Sequence, residues 1–596
     1  MTWSTLAQLV VFLGALLAIT KPLGSYMANV FRGEPTFLSR TLAPIERAIY
    51  RTCGVDPAIE QTWTTYAAAT LLFGLANFVL FYVLLRLQGS LPLNPNQFGT
   101  ARAPAGSVPI TPDLAFNIAV SFMTNTSWQS YPGEMTLGYF AQMAGIAVQS
   151  FTSAAAGLAV GVALIRAFFR EQTGCMGNFW VDMTRSILYV LLPLSFAGAL
   201  FLCSQGVIQT LAPYRNVATV ERAGQAIPMG PVASQESIKL LSSDGGGYFN
   251  ANSAHPFENP TPLTNLVEML LMLAVPAGLT YTFGRMVNDQ RQGWALFAVM
   301  LVLFVSGSLV VTWSEQAGNP ILRAAGINSR PGAGQPGGNM EGKEVRFGIG
   351  GSALFSVVAT ASSDGAVNSS HDTFTPLGGL VQIFNLTTGE VIFGGVGTGI
   401  VSMIFMVVVT IFIAGLLVGR TPEYLGKKIE AKEMKMVMLS FVATAAAGLL
   451  FAGTTFLVEF SRASYWNPAG ALLQNLTNRG AHGLSEVLYA NASAVATNGS
   501  AFAGLNANSP WFNATLGLEM LIGRFLVIIP ALAIAGSLAQ KKRLAVTGGT
   551  MPTHDPLFAA LLLGTIVLVT ALTFFPALSL GPIAEHYLMH LGTTIR

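Results

Sequence analysis

The chain has 596 residues, of which 52% are hydrophobic and only 10% charged, with a mean hydropathy of +0.55. Soluble domains carry charge at about a quarter of their positions, so this composition excludes a soluble globular protein and points to a polytopic membrane protein. The net charge of +3 gives no sign of a nucleic-acid partner, because the basic residues sit in short loops between apolar stretches that face lipid.

The first apolar run, Leu6 to Ile19, has no basic segment before it, and Lys21-Pro22 follows where a cleaved signal would have small residues. It is therefore expected to stay as a span of about Trp3 to Thr20. Crossing the bilayer core takes about 20 apolar residues, and nine further candidates follow in chain order. They are about Thr62 to Leu85, Leu137 to Phe168, Trp180 to Ser204, Thr264 to Phe283, Trp294 to Trp313, Gly389 to Leu417, Met434 to Phe460, Leu516 to Ala539 and Leu557 to Leu580. The three cysteines, Cys53, Cys175 and Cys203, are far apart and form no metal or redox spacing.

Between paired spans lie four segments too short to cross: Leu114 to Met123, Val232 to Leu241, Ser352 to Thr360 and Leu484 to Ala494. Each runs into a small polar stretch. These are Thr124-Asn125-Thr126-Ser127-Trp128-Gln129, Ser242-Ser243-Asp244-Gly245-Gly246-Gly247, Ser362-Ser363-Asp364-Gly365-Ala366 and Ala496-Thr497-Asn498-Gly499-Ser500. A membrane tolerates irregular backbone only where protein covers it or water reaches it. The pattern predicts an all-α polytopic membrane domain of ten helices over residues 1–596, built as a cation pore. Four units of span, pore loop and span, at about 62–168, 180–283, 294–417 and 434–539, are flanked by extra spans at about 3–20 and 557–580. Basic clusters at Arg40 to Arg51, Arg166 to Arg185, Arg420 to Lys435 and Lys541 to Arg543 mark one side as inner. That puts the N-terminus and all four polar loops on the outside, with the Gly/Pro-rich stretch Ser329 to Gly342 in an outer loop expected to be flexible.

Each short helix would aim the partial negative charge of its C-terminus at its loop, and four such ends on one axis stabilise a monovalent cation without a fixed countercharge. Gly245, Gly365 and Gly499 allow the backbone shapes that carbonyl-lined filters use, whereas the first copy has Ser127 at that register. Asp244 and Asp364 either draw cations to the mouth by their field or cap local turns. Arg524 lies inside an apolar span, where a charge is costly and needs a partner or water. It is either a structural ion-pair member with Glu519 or another acid, or a fixed positive charge under the filter that blocks straight passage. The run Gly394-Gly395-Val396-Gly397-Thr398-Gly399 is either a close-packing surface or a gate. His255 with Glu258, and His371 with Asp372, lack a third ligand at metal spacing and suit hydrogen bonding in the outer vestibule.

Several strings are far from generic: Thr124 to Tyr131, Gly245 to Thr261, Gly419-Arg420-Thr421-Pro422-Glu423-Tyr424-Leu425-Gly426 to Ile429, and Gly499 to Pro510. They closely resemble the potassium-binding subunit of the bacterial Kdp potassium-transporting ATPase, from Lys21-Pro22-Leu23-Gly24 to Gly581-Pro582-Ile583-Ala584. The resemblance implies a potassium-channel-like fold with four repeats, working in a high-affinity, ATP-driven potassium importer of the inner membrane. This subunit would take potassium from the periplasmic side and pass it through an intramembrane tunnel to an ATP-hydrolysing P-type partner, with two small accessory membrane subunits. It implies filter positions Asn125, Thr126 and Ser127; Ser243, Asp244 and Gly245; Ser363, Asp364 and Gly365; and Thr497, Asn498 and Gly499, with Gln129 just beyond the first. Family members commonly have Asn where this chain has Ser127 and Asp244, and Cys where it has Asp364. Potassium would bind as substrate, at the filter residues only, and no covalent cofactor is expected. The chain contains no Asp-Lys-Thr-Gly phosphorylation motif and no GxxxxGK[ST] loop, so ATP hydrolysis is expected on a partner and not here. The alternative is a stand-alone potassium channel or ion-coupled symporter of the same architecture. An intramembrane hydrolase using His371 and Asp372 is disfavoured, because no nucleophile stands at a spacing that would pair it with a base.

Overall fold

A computed structural model describes residues 2–221, 223–332, 335–458, 476–545 and 551–592. Helix α1 (Trp3–Arg32) runs through Pro22 and stops at Gly33, whose φ of 76° is left-handed. The amphipathic α2 (Ser39–Cys53) is held down by Glu46, which accepts from Arg185 Nε at 2.9 Å and from the Tyr189 hydroxyl at 2.8 Å.

The first unit comprises α3 (Trp63–Leu87), the short α4 (Pro112–Met123) and α5 (Val148–Phe169), the last entered through a wide turn at Ala141–Ala147. In the second, α6 (Phe179–Arg185) and α7 (Leu192–Ser204) make one continuous span, followed by a hairpin of β1 (Arg215–Ala218) and β2 (Gly224–Ile227), the short α8 (Val232–Leu241) and α9 (Pro262–Met286). The third has α10 (Gln290–Ala317), α11 (Pro320–Ala324), the short α12 (Gly348–Ala361), α13 (Pro376–Thr387) and α14 (Thr398–Val418). The fourth has α15 (Ala431–Val458), the short α16 (Gly480–Val495) and α17 (Pro510–Gln540), after which α18 (Pro556–Leu578) and α19 (Ala584–His590) close the chain. Ten helical segments among the described residues are long and apolar enough to cross a membrane. The expected eighth span ended at Phe460, and residues 459 and 460 lie outside the described ones.

Burial separates an inner ring from an outer one. In the four spans that follow the polar loops, 67–89% of the most apolar stretch is buried, against 28–44% in the four that precede them. Small residues make the inner ring possible: Ala154, Ala155, Gly157, Ala159, Gly161 and Ala163 let other backbones approach α5. The outer α1 packs along α9 through the same device, because a Cβ on Gly24 would meet the Gly278 carbonyl oxygen at 2.5 Å.

One expected span differs. The helix placed at Gly389 to Leu417 begins at Thr398, and residues 388–397 form an irregular connection after α13. Glu390, Phe393, Gly389 and Gly397 all have positive φ there. Gly397 is wedged against the Gly157 backbone of α5, where a Cβ would overlap the Gly157 carbonyl. The glycine run therefore makes a close contact, and does so as a break in the helix. The Gly/Pro-rich stretch is anchored at its end: Asn339 is buried and donates to Glu315 Oε2 at 2.8 Å, and Glu315 pairs with buried Lys343 at 2.7 Å.

Candidate functional site

The short helices α4, α8, α12 and α16 end at equivalent residues. Thr124, Ser242, Ser362 and Ala496 close them with near-identical backbone, φ of −78° to −87° and ψ within 1° of zero. The next residue is left-handed in every copy: Asn125 (φ 62°), Ser243 (48°), Ser363 (57°) and Thr497 (52°). Two positions on, the chain is left-handed again at Ser127 (55°), Gly245 (67°), Gly365 (75°) and Gly499 (88°). The middle residues, Thr126, Asp244, Asp364 and Asn498, do not share this handedness. Alternation of hand turns successive peptide planes so that N–H groups gather on one side and carbonyls on the other. In three copies the middle N–H points back to its own helix: Thr126 to the Ser121 carbonyl at 2.9 Å, Asp244 to Lys239 at 3.0 Å and Asn498 to Ser493 at 2.9 Å. In the third copy the equivalent carbonyl, that of Ala359, is taken by Asn498 Nδ2 at 2.9 Å.

The loops meet in a closed ring taken in chain order. A Cβ on Gly245 would overlap the Asp364 carbonyl oxygen, one on Gly365 the Asn498 carbonyl oxygen, and one on Gly499 the Thr126 carbonyl oxygen. Between the first and second loops the contact is made by side chains: the Ser127 hydroxyl donates to the Asp244 carboxylate, and Asn125 Nδ2 donates to the Ser243 carbonyl at 2.6 Å. This explains why glycine occupies three copies of the third position and serine the remaining one. The twelve expected filter residues, from Asn125 to Gly499, are thus brought together and are all buried. Gln129, two residues beyond Ser127, latches the second loop, accepting from Gly247 N at 2.9 Å and donating to Gly247 O at 3.2 Å.

The family described as Potassium-transporting ATPase A subunit matches residues 10–587. The chain belongs to this family. A protein of Solibacter usitatus is 55% identical over 592 residues, covering 99% of both chains, and one of Rhizobium rhizogenes is 54% identical, covering 99% of this chain and 100% of its own. Both are called potassium-transporting ATPase potassium-binding subunits. Among solved structures, the potassium transporter TrkH of Vibrio parahaemolyticus overlays with a TM-score of 0.49 and 15% identity, covering 89% of this chain and 98% of its own.

The two acidic loop residues of this family member are not exposed at a mouth. Asp364 Oδ1 accepts from Ala366 N at 3.2 Å, the same turn that Asn498 makes with Ser500 N at 3.1 Å. Asp244 bonds to Ser127, as above. Both carboxylates brace the loops. Arg524 is buried on α17 and donates to the Ser153 carbonyl of α5 at 2.6 Å. The ion pair with Glu519 is not formed, since neither Glu519 carboxylate oxygen has a hydrogen-bond partner among the described residues. His371 and Asp372 part company: His371 Nδ1 meets the Tyr489 hydroxyl at 2.9 Å, while Asp372 faces His482. Burial alone would lower the His482 pKa, but its hydrogen bonds to Asp372 and Glu585, and their charges, push it up to about 10.

Two features of the site were not anticipated. Lys239, on α8, is buried and ion-paired with Glu236 at 2.7 Å and Glu258 at 3.0 Å, while its ammonium donates to the Gly246 carbonyl at 2.8 Å and Asn252 Oδ1 at 2.7 Å. The sequence signal was there: two opposite charges three apart in a short apolar helix. Glu390, in the helix break, accepts from the Thr497 hydroxyl at the base of the fourth loop at 2.5 Å. A carboxylate inside a glycine-rich interruption of a span was its signal.

Proposed function

We propose that this chain is the potassium-binding and translocating subunit of an ATP-driven importer, multi-pass in the inner membrane with its N-terminus in the periplasm. The carrying observation is the ring of four loops with one repeated backbone, each abutting the next. Four helix C-termini and a set of aligned carbonyls favour a dehydrated monovalent cation. The filter consists of Asn125, Thr126 and Ser127; Ser243, Asp244 and Gly245; Ser363, Asp364 and Gly365; and Thr497, Asn498 and Gly499, with Gln129 at its entrance. The protein is one membrane domain of four units, about 62–168, 180–283, 294–417 and 434–539, with flanking spans at about 3–20 and 557–580.

Potassium leaves the filter sideways. Arg524 is a fixed cation in the membrane interior, 4% exposed, and seals the straight path. A largely apolar cavity beside the base of the fourth loop, lined by Glu390, Ser402, Phe405, Thr444, Ala496 and Gly523, supports a lateral route. The route leads to a P-type subunit that hydrolyses ATP, and two small accessory membrane subunits complete the complex. The test is to compare this chain alone with the assembled complex in liposomes. The complex is expected to show potassium-stimulated ATP hydrolysis and uptake, and the isolated chain neither to bind nor to hydrolyse ATP. Stoichiometric hydrolysis by the isolated chain, or steady passive potassium flux through it, would overturn the assignment.

A further inference from the structure

On the mouth side of the molecule, three segments distant in sequence meet around one imidazole. His482 stands in the first turn of α16, Asp372 in the short turn after the third loop, Glu486 one turn further along α16, and Glu585 at the start of α19. The two ring nitrogens face different partners. Nδ1 lies 2.6 Å from Glu585 Oε1, whereas Nε2 lies 2.7 Å from Asp372 Oδ1 and 3.9 Å from Glu486 Oε1. One donor atom each from Asp372, His482 and Glu486 falls within 4.8 Å of the others. Asn478 Nδ2 donates to Glu486 Oε1 at 2.7 Å and holds that carboxylate in place.

The cluster is unbalanced in a way that points to a missing cation. Three carboxyl groups, Asp372, Glu486 and Glu585, surround one imidazole, and burial together with the Asp372 charge pushes the Glu486 carboxyl up to about 8, so a cation placed among them would relieve the crowding. The Glu486 side chain has no exposed surface, yet among the described residues its Oε2 has no hydrogen-bond partner, and leaving a buried carboxylate oxygen unmatched is expensive. A polar cavity adjoins the cluster, lined by Asn319, Glu341, Asp372, Asn478, His482 and Glu585, with room for water.

We propose that Asp372, His482 and Glu486 bind a divalent cation of the zinc class, with Glu585 orienting the imidazole from behind. One imidazole nitrogen and two carboxylates are a borderline N/O donor set that suits zinc and its first-row neighbours. A carboxylate on the far ring nitrogen is the usual way a metal-binding histidine is fixed in its tautomer. Binding replaces the proton on Nε2, which passes to solvent, and water from the cavity fills the remaining positions. The bound ion ties the segment after the third loop to the outer end of the helix that carries the fourth.

The experiment titrates the intact complex, carrying no polyhistidine tag and stripped with a chelator, with Co²⁺ and then Zn²⁺, reading visible absorption and bound metal per complex. His586 and His590 on α19, whose rings are 4.4 Å apart, are replaced by Asn in every sample to remove a rival pair. One equivalent of Co²⁺ displaced by Zn²⁺ is expected, with affinity weakened by roughly 10- to 100-fold in Glu585→Gln and by more in His482→Gln and Glu486→Gln. X-ray absorption on the unaltered cluster should show one nitrogen and several oxygen neighbours, a reading that does not depend on any cluster variant folding. Absence of stoichiometric binding, or binding unchanged in His482→Gln and Glu486→Gln, would overturn the proposal and leave the cluster a metal-free imidazolium bridge.

Discussion

Replacing Gly245 by alanine tests the ring at its tightest joint, and Gly246 provides the matched control. Both residues are left-handed, at φ 67° and 69°, so each alanine variant incurs the same backbone cost of about 1–2 kcal/mol. What differs is the space. The nearest atoms to a Cβ on Gly246 are those of the Gln129 side chain and the Ser127 carbonyl, all at 3.2 Å, which small shifts relieve, whereas one on Gly245 overlaps the Asp364 carbonyl oxygen. That carbonyl has to swing away from the axis. An ion losing such a contact loses about what a hydrogen bond to a charged group contributes, ~1.5–3 kcal/mol, which corresponds to roughly a 10- to 150-fold change in affinity. The assay is ATP hydrolysis by the intact complex titrated with potassium, then with rubidium and sodium. Gly245→Ala should raise the half-saturating potassium concentration by that factor and relax discrimination against the other ions, while Gly246→Ala should shift it several-fold at most. Equal effects in the two variants, or normal affinity in Gly245→Ala, would refute the argument that the third position packs on the neighbouring loop's carbonyl.

Arg524→Met removes the fixed charge while keeping apolar bulk. At an effective dielectric of about 20, a unit charge about 4 Å away repels potassium by about 4 kcal/mol, so the variant complex should leak potassium without ATP or hydrolyse ATP without matching uptake, as read by flux in liposomes. Lys239→Met leaves Glu236 and Glu258 buried without their cation, which typically costs about 3–5 kcal/mol. A lowered melting temperature and weakened potassium stimulation are expected, and the Gly246 carbonyl loses its donor. Cysteines introduced at Gly332 and at Lys541 should label from the outside and the inside respectively, and labelling of both from one side would contradict the topology.

The spans and the short helices were legible because hydropathy and length decide them. The short helix at Val232–Leu241 has the expected bounds, and the others differ by a few residues at their ends. The shared register of the loops could also be read, since small and polar residues recur after each short helix. The glycine run at Gly394 to Gly399 marked an interruption, but not that the helix starts only at Thr398, because Val391, Ile392, Phe393 and Val396 keep the stretch apolar while its backbone leaves the helix. The cause of the break is tertiary, the packing of Gly397 onto Gly157. The roles of Asp244 and Asp364 were open for a related reason, since only the folded loops decide whether a carboxylate faces water or a neighbouring hydroxyl and amide. The Asp372–His482 contact joins residues 110 apart, beyond the reach of any spacing rule.

The most direct test of the central claim is to locate a heavy potassium analogue in the intact complex. Crystals soaked in thallium or rubidium should give an anomalous peak on the axis enclosed by residues 125–127, 243–245, 363–365 and 497–499, displaced by excess potassium and unaffected by sodium. A complex that transports potassium but shows no peak there, or places its ion elsewhere, would contradict the account.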